Sequence, residues 1–269
     1  SSLVFVAVML TGLLWNHWSF FVLFSVIHFG CWIEYQKLVE KIDPKYANIS
    51  PVHRYGVMLA GWGFMIWMTG KAYTISGFEI SDVGFWMLVG GTMAVNIETI
   101  ISRRGKLIAH SLMGLLYISL GLGLLVSLTS VIEPVVFTTL FPLIIIISIW
   151  INDTMAYIVG SLIGKTPFSK ISPRKTWEGT IGGIILSVIV VGWLAPVIFL
   201  ANYFYVFKYL NLGVGWFIIP LIAAIFGTLG DLFESKLKRL AGVKDSGQMM
   251  PGHGGFLDRF DSLLLATPF

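Results

Sequence analysis

Residues 231–262 read DLFESKLKRLAGVKDSGQMMPGHGGFLDRFDS and concentrate charge in a chain that is otherwise strongly apolar. Five cations and five anions fall in this segment, whereas charged residues make up only 12% of the 269-residue chain. Hydrophobic residues account for 56% and the mean hydropathy is +0.84, which is typical of a polytopic membrane protein. Because charge near lipid is costly, so dense a charged segment indicates a functional site.

The segment combines three features that suit a phosphate ligand. Four polar side chains share one face if its start is helical: Asp231, Glu234, Ser235 and Lys238. The glycines of the loop 251–255 let backbone approach a ligand and expose N–H donors to an anion. Asp258 and Asp261 then lie one turn apart at the start of an apolar helix, where two carboxylates can hold one divalent cation. Together these features predict a nucleotide-phosphate site.

The same residues resemble the signature of a known enzyme family. The pattern that carries the resemblance is Ser235-x-x-Lys238-Arg239, Lys244-Asp245-x-Gly247 and Pro251-Gly252-His253-Gly254-Gly255-x-x-Asp258-Arg259-x-Asp261. It is similar to the phosphatidate cytidylyltransferases, also called CDP-diacylglycerol synthases. Met250 stands where Leu, Ile or Phe is expected, a change that conserves volume. The resemblance reaches back to Asp153 and to residues 172–179, SPRKTWEG, and is weak before residue 150.

The resemblance implies a reaction in which CTP and phosphatidic acid give CDP-diacylglycerol and pyrophosphate for phospholipid biosynthesis. It implies Mg²⁺ as the cofactor and the lipid bilayer as the setting, with a second cation and a homodimer left open. No nucleic-acid partner is expected, because the basic residues alternate with apolar runs. A CTP-dependent membrane lipid kinase and a secondary transporter stay open as other functions.

Roles follow from the resemblance and from the chemistry of the side chains. The predicted metal ligands are Asp231, Asp258, Asp261 and Asp153. The predicted catalytic residues are Asp231, Asp258, Lys238 and His253. The predicted substrate-binding residues are Ser235, Arg239, Lys244, Arg174, Lys175, Thr176, Gly252, Gly254, Gly255 and Arg259.

Each assignment has a simpler alternative. The cations can be no more than the excess of positive charge that cytoplasmic loops carry. Asp231 can mark a helix end in water, and Asp153 can cap a broken helix instead of reaching the site. Asp245 is expected to be solvated or paired. For His253 we favour donation of a hydrogen bond to phosphate over a structural role.

Other residues have structural interpretations by default. His17, His28, His53 and His110 are isolated in the sequence and are expected to be structural or interfacial. No cysteine or histidine pair suggests zinc, and no Ser–His–acid order suggests a nucleophile. Two glycine pairs, at 160 and 164 and at 179 and 183, predict close helix packing more than ligand loops.

Nine apolar runs predict an all-α polytopic integral membrane protein with about nine transmembrane helices. They cover residues 3–15, 18–33, 55–70, 83–97, 107–130, 135–151, 179–200, 213–230 and 256–269. Only Asn16 and His17 separate the first two runs, which are either two spans in a tight hairpin or one long helix; we predict two spans. The first run lacks the features of a cleavable signal peptide and is expected to be retained. We divide the chain into an N-terminal membrane region, 1–130, and a catalytic region, 131–269.

The distribution of positive charge predicts an orientation. If alternate loops lie on opposite sides, 16 of the 18 cations share the side of loop 34–54, and only Lys71 and Lys208 lie on the other. The positive-inside rule then places the basic loops, including the active-site loops, in the cytoplasm. The expected location is a bacterial cytoplasmic (inner) membrane. Cys31 is the single cysteine, so the chain has no internal disulfide.

Overall fold

The computed structural model describes residues 2–102, 105–130, 138–200, 213–248 and 254–269. The apolar runs of these ranges form nine helices: α1 (Ser2–Leu14), α2 (His17–Ile42), α3 (Pro51–Trp67), α4 (Ile80–Ser102), α5 (Ile108–Ser127), α6 (Leu140–Ile163), α7 (Trp177–Leu200), α8 (Gly215–Leu240) and α9 (Leu257–Ala266). Short 3₁₀ turns lie at Pro44–Asn48, Gly70–Ala72, Gly105–Leu107 and Leu128–Ser130. Residues 135–137 of the predicted run 135–151 lie outside the described residues, as does Lys208.

Six of the described helices, α2 and α4 to α8, are long and apolar enough to cross a bilayer. Helices α1, α3 and α9 are shorter, at 13, 17 and 10 residues. A short β-hairpin pairs Thr74–Ile75 with Phe78–Glu79. Its two turn residues, Ser76 and Gly77, both have positive φ. The chain is therefore an all-α polytopic membrane protein, as its composition predicts.

The first two helices are separate, and Asn16 explains the break between them. Its side chain accepts a hydrogen bond from the Ser19 N–H at 2.9 Å, and Ser19 Oγ accepts one from the Asn16 N–H at 3.0 Å. This reciprocal capping box satisfies backbone donors that a helix start leaves without partners. The predicted break between two helices is confirmed, and the crossing of the bilayer by α1 stays a prediction.

Several helices run beyond the predicted ends of their apolar runs. Helix α2 continues to Ile42, so the prediction of a polar loop from residue 34 is wrong; Leu38 and Val39 continue its buried side. Helix α6 continues to Ile163, so Asp153 lies inside a helix and does not cap a broken one. Apolar residues follow Asp153, so the helix continues past this carboxylate.

Helix α8 likewise continues to Leu240, which places Asp231 inside a helix and corrects its interpretation as a helix end. Lys238 and Arg239 lie in its last turn, where positive charge favours the negative end of the helix dipole. The beginning of the charged segment is therefore helical, as the polar face predicts.

Contacts between residues divide the chain into two units, and the boundaries fall inside α8 and α9. The first unit comprises Ser1–Phe137 and Leu237–Phe260, and the second comprises Thr138–Lys236 and Asp261–Phe269. The division at residue 130 drawn from the sequence stays a prediction.

In the first unit, helices α3 and α4 pack through small residues. A Cβ at Gly63 would lie 2.6 Å from the Leu88 nitrogen, and one at Gly91 would lie 2.8 Å from Ala60 Cβ. Such contact requires residues without bulk at the crossing, as in other membrane helix pairs. Helix α5 contains one π-helical turn, Leu115–Ser119, which brings Ser119 Oγ to 3.0 Å from Trp32 Nε1 and from His28 Nε2.

A second buried network centres on His53. Its Nδ1 lies 2.9 Å from Glu98 Oε2 and its Nε2 lies 2.8 Å from Ser111 Oγ, which forms a Ser–His–Glu arrangement that sequence order did not reveal. His53 and Ser111 are each 2% exposed, and none of the three residues lines the two cavities described below. The network satisfies buried polar groups and joins α3, α4 and α5, which confirms the structural interpretation of His53.

The second unit is built on the pair α6 and α7. A Cβ at Gly179 would lie 2.9 Å from Gly160 Cα, and one at Gly183 would lie 2.8 Å from the Asn152 carbonyl oxygen. Ser187 Oγ also donates to the Ser148 carbonyl at 2.8 Å. The prediction that these glycines serve helix packing is confirmed, and the close approach positions the site.

Candidate active site

A cleft of about 410 Å³ lies in the second unit, among α6, α8 and the loop that precedes α7. Its lining consists of Asn152, Asp153, Ala156, Tyr157, Gly160, Ser161, Arg174, Lys175, Thr176, Thr180, Thr228 and Asp231. Five residues that the sequence analysis selected, Asp153, Arg174, Lys175, Thr176 and Asp231, therefore line one cleft.

The loop before α7 folds back on itself and presents its cations to the cleft. The Phe168 N–H donates to the Lys175 carbonyl at 2.7 Å, and the Trp177 N–H donates to the Thr166 carbonyl at 2.9 Å. Thr176 begins the helix, because its Oγ1 accepts a hydrogen bond from the Gly179 N–H at 3.1 Å. Arg174, Lys175 and Thr176 are thereby fixed on the lining of the cleft.

Glu178 holds the base of the same loop. Its carboxylate accepts hydrogen bonds from the backbone N–H groups of Lys165 and Thr166, each at 3.2 Å. The segment SPRKTWEG therefore contributes two kinds of residue: cations that reach the cleft, and capping groups that fix the loop. The sequence pattern pointed to this segment, but the structural role of Glu178 becomes visible only in the fold.

Asp231 connects this loop with helix α8. Its Oδ2 forms an ion pair with Lys175 Nζ, and its Oδ1 accepts a hydrogen bond from Ser235 Oγ at 3.3 Å. Ser235 was predicted to bind phosphate, and here its hydroxyl supports the Asp231 carboxylate. The ion pair shows that the loop cation and the helix carboxylate share one polar centre.

Three carboxylates converge beside this ion pair. Ligand atoms of Asp231, Glu234 and Asp261 all lie within 4.8 Å of one another. Glu234 is 0% exposed and Asp261 is 7% exposed, so two of the three acids are buried. Like charges held this close in a buried place repel one another unless a cation compensates them.

Gly230 makes the acidic cluster possible. A Cβ at this position would lie 2.5 Å from the Asp261 carbonyl oxygen and 3.0 Å from Ser262 Cα. Helix α9 thus meets α8 at a residue without a side chain, and Asp261 comes to Asp231. Three carboxylates provide the hard oxygen ligands that Mg²⁺ prefers, so the cluster fits the cofactor that the family resemblance implies.

Two residues at this site escaped the sequence analysis. Glu234 was placed on the polar helix face but was not assigned to the metal, although its spacing from Asp231 offered that signal. Asn152 lines the cleft, and its Nδ2 donates to Thr228 Oγ1 at 3.3 Å. Its Oδ1 is buried and accepts no hydrogen bond from the residues that the structure describes.

Not every predicted metal ligand belongs to the cluster. Asp153 is exposed and lines the cleft, but it is not one of the three converging carboxylates. Asp258 belongs to the first unit, whereas the three converging carboxylates belong to the second. The assignment of these two residues to a metal stays a prediction.

Asp258 anchors the described ends of the signature loop, which comprises residues 241–256. Its Oδ1 accepts a hydrogen bond from Lys238 Nζ at 2.7 Å. Its Oδ2 accepts hydrogen bonds from the backbone N–H groups of Ser246 and Gly255, at 3.0 and 2.9 Å. The Asp258 carboxylate thus joins Lys238, Ser246 and Gly255 through charge-assisted hydrogen bonds.

The first unit also contains three other cations of the signature. Arg239, Lys244 and Arg259 are exposed, and Lys244 lines a second cavity of about 470 Å³. Gly254 has a φ of +81°, which favours glycine. His253 and Gly252 lie outside the described residues.

The sequence matches one known protein family over its whole length. The model of the cytidylyltransferase family matches residues 1–269, the whole chain. The chain belongs to this family.

Three curated relatives of this cytidylyltransferase family member come from staphylococci. It is 50% identical over 121 residues to a phosphatidate cytidylyltransferase of Staphylococcus haemolyticus. It is 47% and 48% identical over 123 residues to proteins of the same name from Staphylococcus saprophyticus and Staphylococcus aureus. In each case the match spans 45% of this chain and 43% of the relative, which is less than half of the relative's length.

Proposed function

We propose that this cytidylyltransferase family member is a phosphatidate cytidylyltransferase that converts CTP and phosphatidic acid into CDP-diacylglycerol and pyrophosphate. The observation that carries the proposal is the cluster of Asp231, Glu234 and Asp261, which adjoins Lys175 in the second unit, whose long helices are apolar. Family membership and the names of the relatives support the same reaction.

The reaction joins two negative groups, and this determines what the site must do. A phosphate oxygen of the lipid attacks the α-phosphorus of CTP, a new P–O bond forms, and the bond to the β-phosphate breaks. A phosphate monoester is mostly dianionic near neutral pH, since its second pKa is about 6. The attacking oxygen therefore needs no strong general base, and catalysis depends on positioning and on positive charge.

The acidic cluster is the proposed place for Mg²⁺. Asp231, Glu234 and Asp261 would hold the ion, and their oxygen atoms suit its ligand preference. When bound, the ion supplies positive charge that reduces the repulsion between the two phosphates.

The chain's own cations do the rest of the electrostatic work. Lys175 is held beside Asp231 at the ion pair, and Arg174 lines the same cleft. We assign both, with the hydroxyl of Thr176, to the phosphate of phosphatidic acid or to the departing pyrophosphate. Arg239 and Lys244 of the signature segment are assigned to the phosphates of CTP. Charge-assisted contacts of this kind orient a phosphate as well as neutralise it.

The proposed setting is the cytoplasmic membrane of a bacterium, with the basic loops in the cytoplasm, where CTP is available. The bacterial relatives and the apolar helices support the setting, and the excess of cations on one set of loops supports the orientation. Phosphatidic acid would reach the site from the bilayer.

Product analysis with purified protein tests the proposal. The protein is incubated with CTP, phosphatidic acid and Mg²⁺, and both products are quantified. We expect CDP-diacylglycerol and pyrophosphate in equal amounts. Release of CDP with a phosphorylated lipid would identify a lipid kinase. Absence of any CTP turnover, with substrate uptake into vesicles, would identify a transporter.

The variant Asp231→Asn tests whether the measured turnover comes from this site or from a contaminating enzyme. We expect its turnover to fall by at least about a hundredfold, because it weakens the cluster and the ion pair with Lys175. Asp82→Asn is the matched control, since Asp82 is an exposed acid in the first turn of α4. Equal turnover in both variants would remove Asp231 from the reaction.

A further inference from the structure

The second cavity, of about 470 Å³, lies wholly within the first unit, between the end of helix α2 and the signature loop. Lys37 and Lys41 line it from the helix, and Lys244 lines it from the loop. Among the lining residues that the structure describes, Leu38 is the only one with an aliphatic side chain. A cavity lined in this way suits a polar anion better than the chains of a lipid.

The charges around this cavity favour an anion. Lys37 and Lys41 are one turn apart on α2, and both are exposed. The negative residues on the lining are Glu40 and Asp245, and Glu40 forms an ion pair with Arg54. The positive-inside rule accounts for cations on this side of a membrane. It does not account for their convergence on one cavity from segments roughly two hundred positions apart.

Glu34 explains why the loop lies against α2. It lies one turn before Lys37 on the same helix and is 0% exposed. Its Oε2 accepts hydrogen bonds from the Leu257 N–H at 2.9 Å and from Ser246 Oγ at 2.8 Å. A buried carboxylate is costly without such donors, so these contacts fix the loop that carries Lys244.

Two signature glycines make room for this carboxylate. A Cβ at Gly247 would lie 2.7 Å from Glu34 Cδ, and one at Gly255 would lie 2.6 Å from the same atom. The N–H of Gly255 is also occupied, because it donates to Asp258. These glycines therefore serve the docking of Glu34, and the three lysines supply the positive charge on the lining of this cavity.

We infer that the end of α2 completes a polyphosphate-binding site, in which Lys37 and Lys41 join Lys244 in binding the triphosphate of a nucleotide. Glu34 is the positioning residue, since it fixes the loop that presents Lys244. That the nucleotide is CTP rests on the proposed function. The anion site itself rests only on the cavity, its three lysines and the docking by Glu34.

Direct binding of inorganic tripolyphosphate tests the inference. The purified full-length chain is titrated by calorimetry without Mg²⁺. We expect the double variant Lys37→Ala/Lys41→Ala to bind at least about tenfold more weakly, because two charge-assisted contacts are lost. Lys45→Ala is the matched control, an exposed lysine near the same helix end that does not line the cavity. Lys37→Arg/Lys41→Arg is expected to retain binding. Unchanged affinity in the alanine double variant would overturn the inference.

A second arm distinguishes a nucleotide phosphate from a lipid headgroup. The protein is placed in nanodiscs of phosphatidylcholine, with or without phosphatidic acid, and the titration is repeated. We expect equal affinities, since Leu38 is the only aliphatic side chain that the described part of the lining offers to acyl chains. Competition by phosphatidic acid would overturn the assignment to a nucleotide.

Turnover then separates this inference from the proposed function. We expect the alanine double variant to raise the KM for CTP about tenfold and to leave the KM for phosphatidic acid unchanged. Lysine-dependent tripolyphosphate binding without cytidylyl transfer would refute the proposed function and support the anion site. Normal KM for CTP and normal tripolyphosphate binding in the variant would refute the anion site alone.

Discussion

At the scale of single residues, Asp258 has a structural task that its place in the signature does not reveal. Lys238 Nζ and the backbone N–H groups of Ser246 and Gly255 all donate to its carboxylate. The carboxylate orders a loop as well as carrying charge. Spacing predicted that these residues act together, but it could not predict which of them bind one another.

Asp258→Asn is therefore expected to loosen the signature loop. The amide has one acceptor oxygen where the carboxylate had two, so one set of donors loses its partner. We expect trypsin to cleave after Lys244 several times faster than in the wild type, measured by mass spectrometry. Asp82→Asn is the control. Cleavage at the wild-type rate would show that Asp258 does not order the loop.

The sequence predicted the acidic site only partly, and Glu234 shows why. Asp231 and Asp261 were predicted metal ligands, and the structure brings them together. Glu234 shares a helix face with Asp231 but has no place in the signature pattern, so the sequence offered only its spacing. Its burial follows from tertiary packing, which helical periodicity alone does not determine.

At the scale of elements, apolar runs predicted the helices well and their ends poorly. Every predicted run that falls in the described ranges is helical. Helices α2, α6 and α8 continue through Glu34, Asp153 and Asp231, because hydrogen-bonded or cleft-facing carboxylates do not interrupt backbone hydrogen bonding. A hydropathy criterion ends a run at the first charge and therefore places functional acids in loops.

A substitution at Gly230 tests the contact between α8 and α9 within the second unit. In Gly230→Ala the new Cβ would meet the Asp261 backbone, so the helices must separate. We expect a loss of about 1–3 kcal/mol in the free energy of unfolding, seen as a lower thermal midpoint in detergent.

Gly90→Ala is the matched control for this change. Gly90 lies in α4, and a Cβ there would have no heavy atom within 4 Å apart from its chain neighbours and the nearby backbone of its own helix. Since alanine favours a helix more than glycine does, we expect unchanged or slightly higher stability. If both variants were equally stable, close helix contact at Gly230 would not be required.

At the scale of the whole molecule, the distribution of cations predicts the orientation in the membrane. The expected arrangement places Lys45 and Lys170 in the cytoplasm and Lys71 outside it. All three side chains are exposed and lie outside the six candidate spans. Cys31 is buried and is replaced by serine so that introduced cysteines report alone.

Single cysteines at these three positions test the orientation. In intact bacterial cells, a membrane-impermeant maleimide is expected to label Lys71→Cys and not the other two. Inverted vesicles should give the opposite result. Labelling of Lys71→Cys and Lys170→Cys from the same side would contradict the predicted topology.

The central proposal is that the cluster of Asp231, Glu234 and Asp261 holds a divalent cation. Mn²⁺ shares the oxygen-ligand preference of Mg²⁺ and is visible by electron paramagnetic resonance, so its binding to the purified chain can be titrated directly. We predict one site whose affinity falls at least about tenfold in Glu234→Gln and is unchanged in Asp82→Asn. Equal Mn²⁺ affinity in the wild type and in Glu234→Gln would contradict the account.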